Sequence, residues 1–403
     1  MEIRPILSAM WRNRTGSVLI ALQIALTLAI VVNSAFLTIE RTEFIGRPSG
    51  LDEKNIVTIT STGFGSDYDH DATINADLEL LRSMPGVVAA TASGHIPMSG
   101  SGSATGYRAS MDDGAPFENG NYFEFDEYAD EALGVNIIEG RGFLPTEIRR
   151  SDDPNSERMP AQAIVTKALA DKLYPDLPSA VGQRLYNNIG ESAEIIGVIE
   201  QMFGSWVHWQ NLEQVVWWPV RRSPPTTFYM VRTEPGLRDQ VLADMEPLLS
   251  QANRTRIIRS PRTMEEIIGR SYEGDYAMAT VLAIAMVLLL TITGLGIVGL
   301  ASFTVRQRTK QIGTRRAIGA RKRDIIRYFL TENWLMTTIG LVIGTGLTYF
   351  LNYQLSQLID SSRLDPWYLG AGVLALWLLG FLAVAGPARR ASLISPAIAT
   401  RNV

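Results

Sequence analysis

The side chains that commonly do chemistry are few here and poorly placed for it. His70, His95 and His208 lie far apart, with no H-E-x-x-H pattern and no cysteine anywhere, so the ligand spacing of a zinc site is missing. Ser93 stands two residues from His95, a spacing that by itself defines no catalytic pair, and the chain has no G-x-S-x-G turn to expose a nucleophile. Asp67, Asp69 and Asp71 alternate as calcium ligands do but lack the glycine and closing glutamate of a calcium loop, and read as a solvated acidic loop. No G-x-x-x-x-G-K-[ST] loop is present to cradle a nucleotide phosphate. These observations leave catalytic, metal-binding and cofactor-binding residues at none.

Charge and apolar patterning carry more. Residues 305–333 read VRQRTKQIGTRRAIGARKRDIIRYFLTEN. Ile312, Ile318, Ile325 and Ile326 are apolar anchors, Gly313 and the Gly319-Ala320 pair break or bend the path, and Asp324 sits where a helix N-terminus favours an acid. The pattern predicts a cationic helix-turn-helix, suited either to docking an acidic partner surface or to lying on lipid headgroups. Its position between two long apolar runs explains the positive charge without nucleic acid.

The elements that would hold this segment are spans. Four stretches carry no charge: 15–39, 276–305, 333–359 and 366–388, of 25, 30, 27 and 23 residues. About 20 apolar residues in helical form cross a bilayer core, so each is long enough. The first follows Arg4, Arg12 and Arg14 but runs well past the length of a signal-peptide core without a cleavage motif, and reads as an uncleaved anchor. Before it, Ile3, Ile6, Leu7, Met10 and Trp11 recur at helical spacing, as in a short helix at the membrane surface or a plain cytoplasmic extension of the span. Segments 1–14, 306–327 and 389–403 hold 15 of the 37 Lys and Arg residues against two acids, Glu2 and Asp324. Basic residues near span ends stay in the cytoplasm, which places both termini inside and residues 40–275 outside.

In that outer segment, 55–61, 87–92, 227–233 and 256–260 read as strands, with helices at 71–84 and 235–252. Two β-α-β units far apart in sequence predict one split βαβ sandwich interrupted by an inserted subdomain. The insertion has strand patterns at 135–138, 163–165, 184–186 and 194–199 and a helix at 167–173, while the Gly- and Ser-rich 99–113 reads as a loop. Within the spans, Gly340 and Gly344 form a G-x-x-x-G spacing for close helix packing, with a dimer contact as one use, and Gly294, Gly296 and Gly299 thin another helix. Gln23, Thr27 and Asn33 are placed to hydrogen-bond across helices or to line a polar path.

Taken together, Gln311-Ile312-Gly313, Arg315-Arg316-Ala317-Ile318-Gly319-Ala320 and Asp324-Ile325 resemble the cytoplasmic signature of FtsX/MacB-type (type VII) ABC transporter permeases. Glu332 matches a recurrent acid of that family, whereas Gln311 replaces its usual Glu. Glu139–Phe143 (EGRGF), 163–173, Val181-Gly182, 195–199 and the ending Ser395-Pro396-Ala397-Ile398-Ala399 are similar to the family as well, the outer motifs to its MacB-like periplasmic core. The resemblance implies four transmembrane α-helices with a large α+β extracytoplasmic domain, a Porter subdomain (about 50–100 and 225–270) split by an inserted Sabre subdomain (about 105–220). It further implies a cytoplasmic amphipathic N-terminus (1–14), spans at 15–39, 276–305 (with a stalk), 328–359 and 366–388, a coupling-helix loop at 306–327, a short outer loop at 360–365 and a cytoplasmic tail at 389–403.

For function, the resemblance implies a non-catalytic permease subunit in the bacterial inner membrane, working by mechanotransmission. Gln311, Ile312, Gly313, Arg315, Arg316, Ile318, Gly319, Asp324 and Ile325 would form the interface with a separate cytoplasmic ABC ATPase. ATP and Mg would be bound there, not by this chain. A second permease copy or paralogue would complete a dimer. On the export reading, of drugs, peptides or toxins, a periplasmic adaptor and a TolC-type outer-membrane channel join it. The alternatives are a regulatory FtsX-type or antibiotic-sensing subunit controlling a periplasmic enzyme or signalling partner, and lipoprotein extraction.

Overall fold

The structure, a computed structural model, describes residues 14–65, 67–112, 114–150, 159–359 and 363–395. The surface helix expected before residue 14, the last residues of the Ser395–Ala399 motif and part of the loop at 360–365 lie outside the described residues. The chain forms two compact units, Arg47–Gly274 and the pair Met1–Gly46 with Asp275–Val403.

Along the chain, α1 (Arg14–Ile45) precedes β1 (Ile56–Gly63), α2 (His70–Arg82) and β2 (Val87–Ser93). Then come β3 (Ser103–Arg108), β4 (Phe117–Phe125), α3 (Ala129–Leu133), β5 (Ile137–Gly140), β6 (Arg149–Arg150), β7 (Gln162–Thr166) and α4 (Lys167–Leu173). β8 (Arg184–Asn187), β9 (Ser192–Ile199) and β10 (Val215–Arg221) follow, and β11 (Thr226–Thr233), α5 (Arg238–Ala252), β12 (Arg256–Thr263) and α6 (Met264–Ser271) close the outer unit. The remaining helices are α7 (Glu273–Gln307), α8 (Thr309–Ala317), α9 (Lys322–Ile359) and α10 (Pro366–Ser392).

The strands from the two distant ends make one antiparallel sheet in the order β12-β1-β11-β2. Alternation decides its faces: Val57, Ile59, Tyr229 and Val231 pack under Leu78 and Leu81 of α2 and Val241, Met245 and Leu249 of α5. This is the split βαβ sandwich expected from the sequence. Asp69 caps α2 by accepting from the Ala72 N–H at 2.9 Å, so the acidic loop serves a helix start.

Strands β3 to β10 form a second, mixed sheet whose path closes on itself because β4 also pairs with β10. The reading of 99–113 as a loop is corrected here. β3 runs through it because Gly106 lets the Phe117 ring lie where a Cβ would stand, 2.5 Å from the ring edge. Asp126, fully buried, ties the sheets together: it accepts from Arg82 Nη2 at 2.7 Å and from Thr91 Oγ1 at 2.7 Å, and lies 3.5 Å from Arg221 Nη2.

In the other unit, α1, α7, α9 and α10 are each long and apolar enough to cross a membrane. The first is the central one, with 56% of its apolar window buried against 11%, 28% and 17% in the others. Gly340 and Gly344 explain how it seats. A Cβ at Gly340 would stand 2.8 Å from the Ala21 carbonyl oxygen, and one at Gly344 would stand 3.0 Å from Ala25 Cα. The G-x-x-x-G spacing thus serves close helix packing as its pattern predicts, and α1 of the same chain, not a second copy, fills this face. Gly340→Leu is expected to cost about 1–3 kcal/mol through overpacking against α1, while leaving the oligomeric state in detergent unchanged. Thermal unfolding and light scattering on one sample check both.

The polar residues of α1 are paired across helices, as their types predict. Thr27 Oγ1 lies 2.7 Å from Thr293 Oγ1, Gln23 Nε2 donates to the Ile292 carbonyl at 3.3 Å, and Asn33 Nδ2 donates to the Thr348 carbonyl at 3.1 Å. Gly296 makes room for Gln23, whose Oε1 lies 2.8 Å from where a Cβ would be.

Candidate coupling site

The cationic segment folds as the helix-turn-helix its pattern predicts, and local chemistry sets each boundary. Arg308 joins α7 to α8, its N–H reaching the Thr304 carbonyl at 3.0 Å. At the other end of α8, Gly319 adopts φ +104, a left-handed conformation that glycine reaches without a Cβ clash. The Gly319 N–H then bonds the Arg316 carbonyl at 3.2 Å and the Ala320 N–H the Arg315 carbonyl at 3.0 Å, the paired closure of a Schellman stop. Asp324 takes the opposite task, accepting the Arg321 N–H at 2.9 Å to start α9. Gly313 lies inside α8 and is buried, so its reading as a break is corrected; Gly319 alone turns the chain.

The apolar anchors divide. Ile312 and Ile325 are 5% and 4% exposed and belong to the core of the span bundle, with Phe329 and Val305. Ile318 is 82% exposed. Ile312 and Ile325 thus hold the helix pair onto its own bundle, and Ile318 is the one of the three that presents an apolar surface. Gln311, Arg315, Gly319 and Asp324 are exposed and Arg316 is half-buried, so the turn carries a cationic rim around Ile318, extended by Arg321, Lys322 and Arg323.

Beneath the turn lies a group that sequence reasoning did not assemble. Arg308 Nη1 contacts Glu332 Oε2 at 3.0 Å and donates to the Tyr328 hydroxyl at 3.1 Å. The Arg315 guanidinium sits 5.1 Å from the Tyr328 ring centroid. Glu332 is buried, and its partner arises 24 residues earlier in the chain. Arg308, Tyr328 and Glu332 tie the start of α8 to α9. A buried acid beside a basic run was the available signal, but Arg306, Arg308 and Arg327 were equal candidates until the helices had a geometry. Chemically the site offers cations and one exposed isoleucine above a buried ion pair. Among the described residues there is no cluster of His, Cys, Asp or Glu that would hold a metal.

A model of the MacB-like periplasmic core domain matches residues 19–248, more than half the chain, and a model of the FtsX-like permease C-terminal matches residues 283–396. The chain belongs to the FtsX/MacB-type permeases. This family includes the macrolide export ATP-binding/permease protein MacB of Chromobacterium violaceum, 26% identical over 276 residues, which are 65% of this chain and 40% of that protein. It also includes the uncharacterized ABC transporter permease YknZ of Bacillus subtilis, 26% identical over 244 residues, or 59% of this chain and 61% of that one. The chain thus spans about two fifths to three fifths of the length of these relatives. Among solved structures, the extracellular domain of YknZ aligns at a TM-score of 0.32 and 15% identity, covering 51% of this chain and 98% of that domain. The periplasmic region of MacB from Actinobacillus actinomycetemcomitans aligns at 0.33 and 14%, covering 56% and 95%. The cationic helix-turn-helix falls within the FtsX-like match, and both sheets of the outer unit begin within the MacB-like one.

Proposed function

We propose that this chain is the transmembrane subunit of an ABC transporter that works by mechanotransmission. A separate cytoplasmic ATPase binds ATP and Mg, closes, and pushes on the turn between α8 and α9. The spans carry the displacement to the extracytoplasmic domain. The observation that carries this reading is the division of labour in the coupling segment: Ile312, Ile325 and the Arg308–Glu332 pair fasten it from below, while Ile318 is left exposed in a basic rim. An exposed anchor on a rigid mount suits a protein groove, since interface energy concentrates in a few buried anchors.

In this reading both termini lie in the cytoplasm of a bacterial inner membrane and the large domain outside, which the positive charge of segments 306–327 and 389–403 supports. A second permease copy or paralogue completes the assembly. Export is the preferred task, because relatives carry names such as macrolide export and syringafactin export proteins. On this reading an adaptor and a TolC-type channel continue the route outward.

The test compares two variants in one detergent. Ile318→Asp is expected to release the ATPase that co-purifies with the wild-type chain, at unchanged membrane insertion. Replacing Arg321 and Lys322 by Gln is expected to leave most of the complex and to weaken mainly its salt dependence. If the segment docks on lipid instead, the ranking reverses, because each basic residue near an anionic surface contributes about 1 kcal/mol. Retention of the ATPase by Ile318→Asp with loss by the charge variant defeats the proposal.

A further inference from the structure

We infer that the outer domain carries a binding cleft for an anionic amphiphile, a soluble molecule with a phosphate or carboxylate beside an apolar group. The cleft, of about 250 Å³, lies on the face of the β12-β1-β11-β2 sheet opposite its two helices. Three guanidiniums converge on it: Arg259 and Arg262 from β12, and Arg270 from α6.

Their convergence has to be built, because residues three apart on a regular strand point to opposite faces. Thr60 faces Arg259 and Thr58 faces Arg262 across the ladder, with a register irregularity between them. That extra residue in β12 turns both arginines to the same side as Thr58 and Thr60. Without it, one arginine would point into the apolar layer under the helices.

Among the described residues none of the three guanidiniums makes a salt bridge. This contrasts with Arg238 and Arg256 of the same domain, which pair with Glu265 and Asp77. Three like charges around one cleft repel unless an anion enters, and the planar guanidinium fork matches phosphate and carboxylate oxygens. The Thr60 and Ser101 hydroxyls add neutral donors, whereas those of Thr58 and Ser99 already donate to the Arg262 and Ile96 carbonyls at 3.4 and 2.7 Å. Phe228, Ile96 and Ile267 supply an apolar wall, which free phosphate alone would leave unused. The combination of apolar lining with a few convergent polar groups is that of a small-molecule site.

This inference goes beyond the permease assignment and does not rest on it, because binding is read on the full chain without any ATPase. The probe is phenyl phosphate, measured by calorimetry on the chain in nanodiscs of neutral phosphatidylcholine. Saturable binding is expected, tighter than that of inorganic phosphate, with none of phenyltrimethylammonium. Changing Arg259, Arg262 and Arg270 together to Gln is expected to weaken it at least tenfold, at an unchanged melting temperature of the unliganded chain. Arg254→Gln, on an exposed arginine outside the cleft, is expected to leave it unchanged. Nanodiscs containing phosphatidylglycerol, compared at high salt, are expected to give the same affinity; a tenfold loss there would show that lipid headgroups fill the cleft and would overturn a soluble ligand. Equal affinity for inorganic phosphate removes the apolar half of the inference. Binding unaffected by the triple substitution, or no binding of phenyl phosphate, removes all of it.

Discussion

Arg256→Ala is expected to destabilise the outer domain by about 3–5 kcal/mol, the usual result of stripping one partner from a buried ion pair. Arg256 and Asp77 are ion-paired with side chains 0% and 2% exposed, joining β12 to α2. Each has further partners: the Tyr229 hydroxyl donates to Asp77 Oδ2 at 2.6 Å, and Arg256 Nη2 donates to the Leu249 carbonyl at 2.5 Å. The arginine therefore stitches strand, α2 and α5 at once, and its loss leaves a carboxylate in an apolar layer with one hydroxyl for company. Burial, and after it the Asp77 charge, push the Tyr229 hydroxyl far above its ordinary pKa. The sign follows from linkage: the tyrosine's contribution is complete below about pH 10, and is lost as pH rises beyond it because the unfolded chain ionises first. Urea unfolding followed by tryptophan fluorescence measures both effects. An unchanged midpoint in Arg256→Ala would contradict the role assigned to the pair.

Glu332→Ala is expected to cost a similar amount, about 3–5 kcal/mol, in the span bundle, and, on the proposed mechanism, to abolish ATP-dependent movement of the outer domain in the complex with the ATPase. The substitution leaves Arg308 half-enclosed without its counter-charge and frees the start of α8 from α9. Trypsin should then cut sooner in the basic turn. The double substitution Arg308→Met with Glu332→Leu is the informative partner: apolar side chains of similar size commonly restore stability where a buried pair stood. Recovery of stability without recovery of motion would assign the pair a mechanical task. Recovery of both would leave it with packing alone, and full motion in the single variant would refute the lock.

The cationic turn was legible because its determinants are local: Gly319 stops α8, Asp324 starts α9, and both lie within a few residues of what they cap. The split sandwich was legible because alternation marks each strand and helical spacing marks α2 and α5. The barrel-like second sheet was much less so. β4 contains Asn119-Gly120, ordinarily a turn signal, yet the strand continues because Gly120 gives the Tyr107 ring room, a Cβ there standing 3.2 Å from it. β10 holds Pro219 in its middle, which argues against a strand until the parallel partner β4 is known. The fate of Gly340 and Gly344 was equally hidden, since a G-x-x-x-G face states that a helix will come close and not which helix. Ile312, Ile318 and Ile325 look alike in sequence, and only the bundle separates the two that it buries.

The central place of α1 has a consequence for how the protein is made. Of the four described spans it is synthesised first, yet its partners lie far along the chain: Thr293 for Thr27, the Ile292 carbonyl for Gln23, the Thr348 carbonyl for Asn33. At about 5–20 residues per second, the roughly 277 residues from Ile45 to Lys322 take about 14–55 s to synthesise. For that interval α1 waits in the membrane with its amides and hydroxyl facing lipid or a holding partner, and it gains its companions in order, α7 before α9. The interval before these pairings can form is thus set by the length of the outer domain between α1 and its partners.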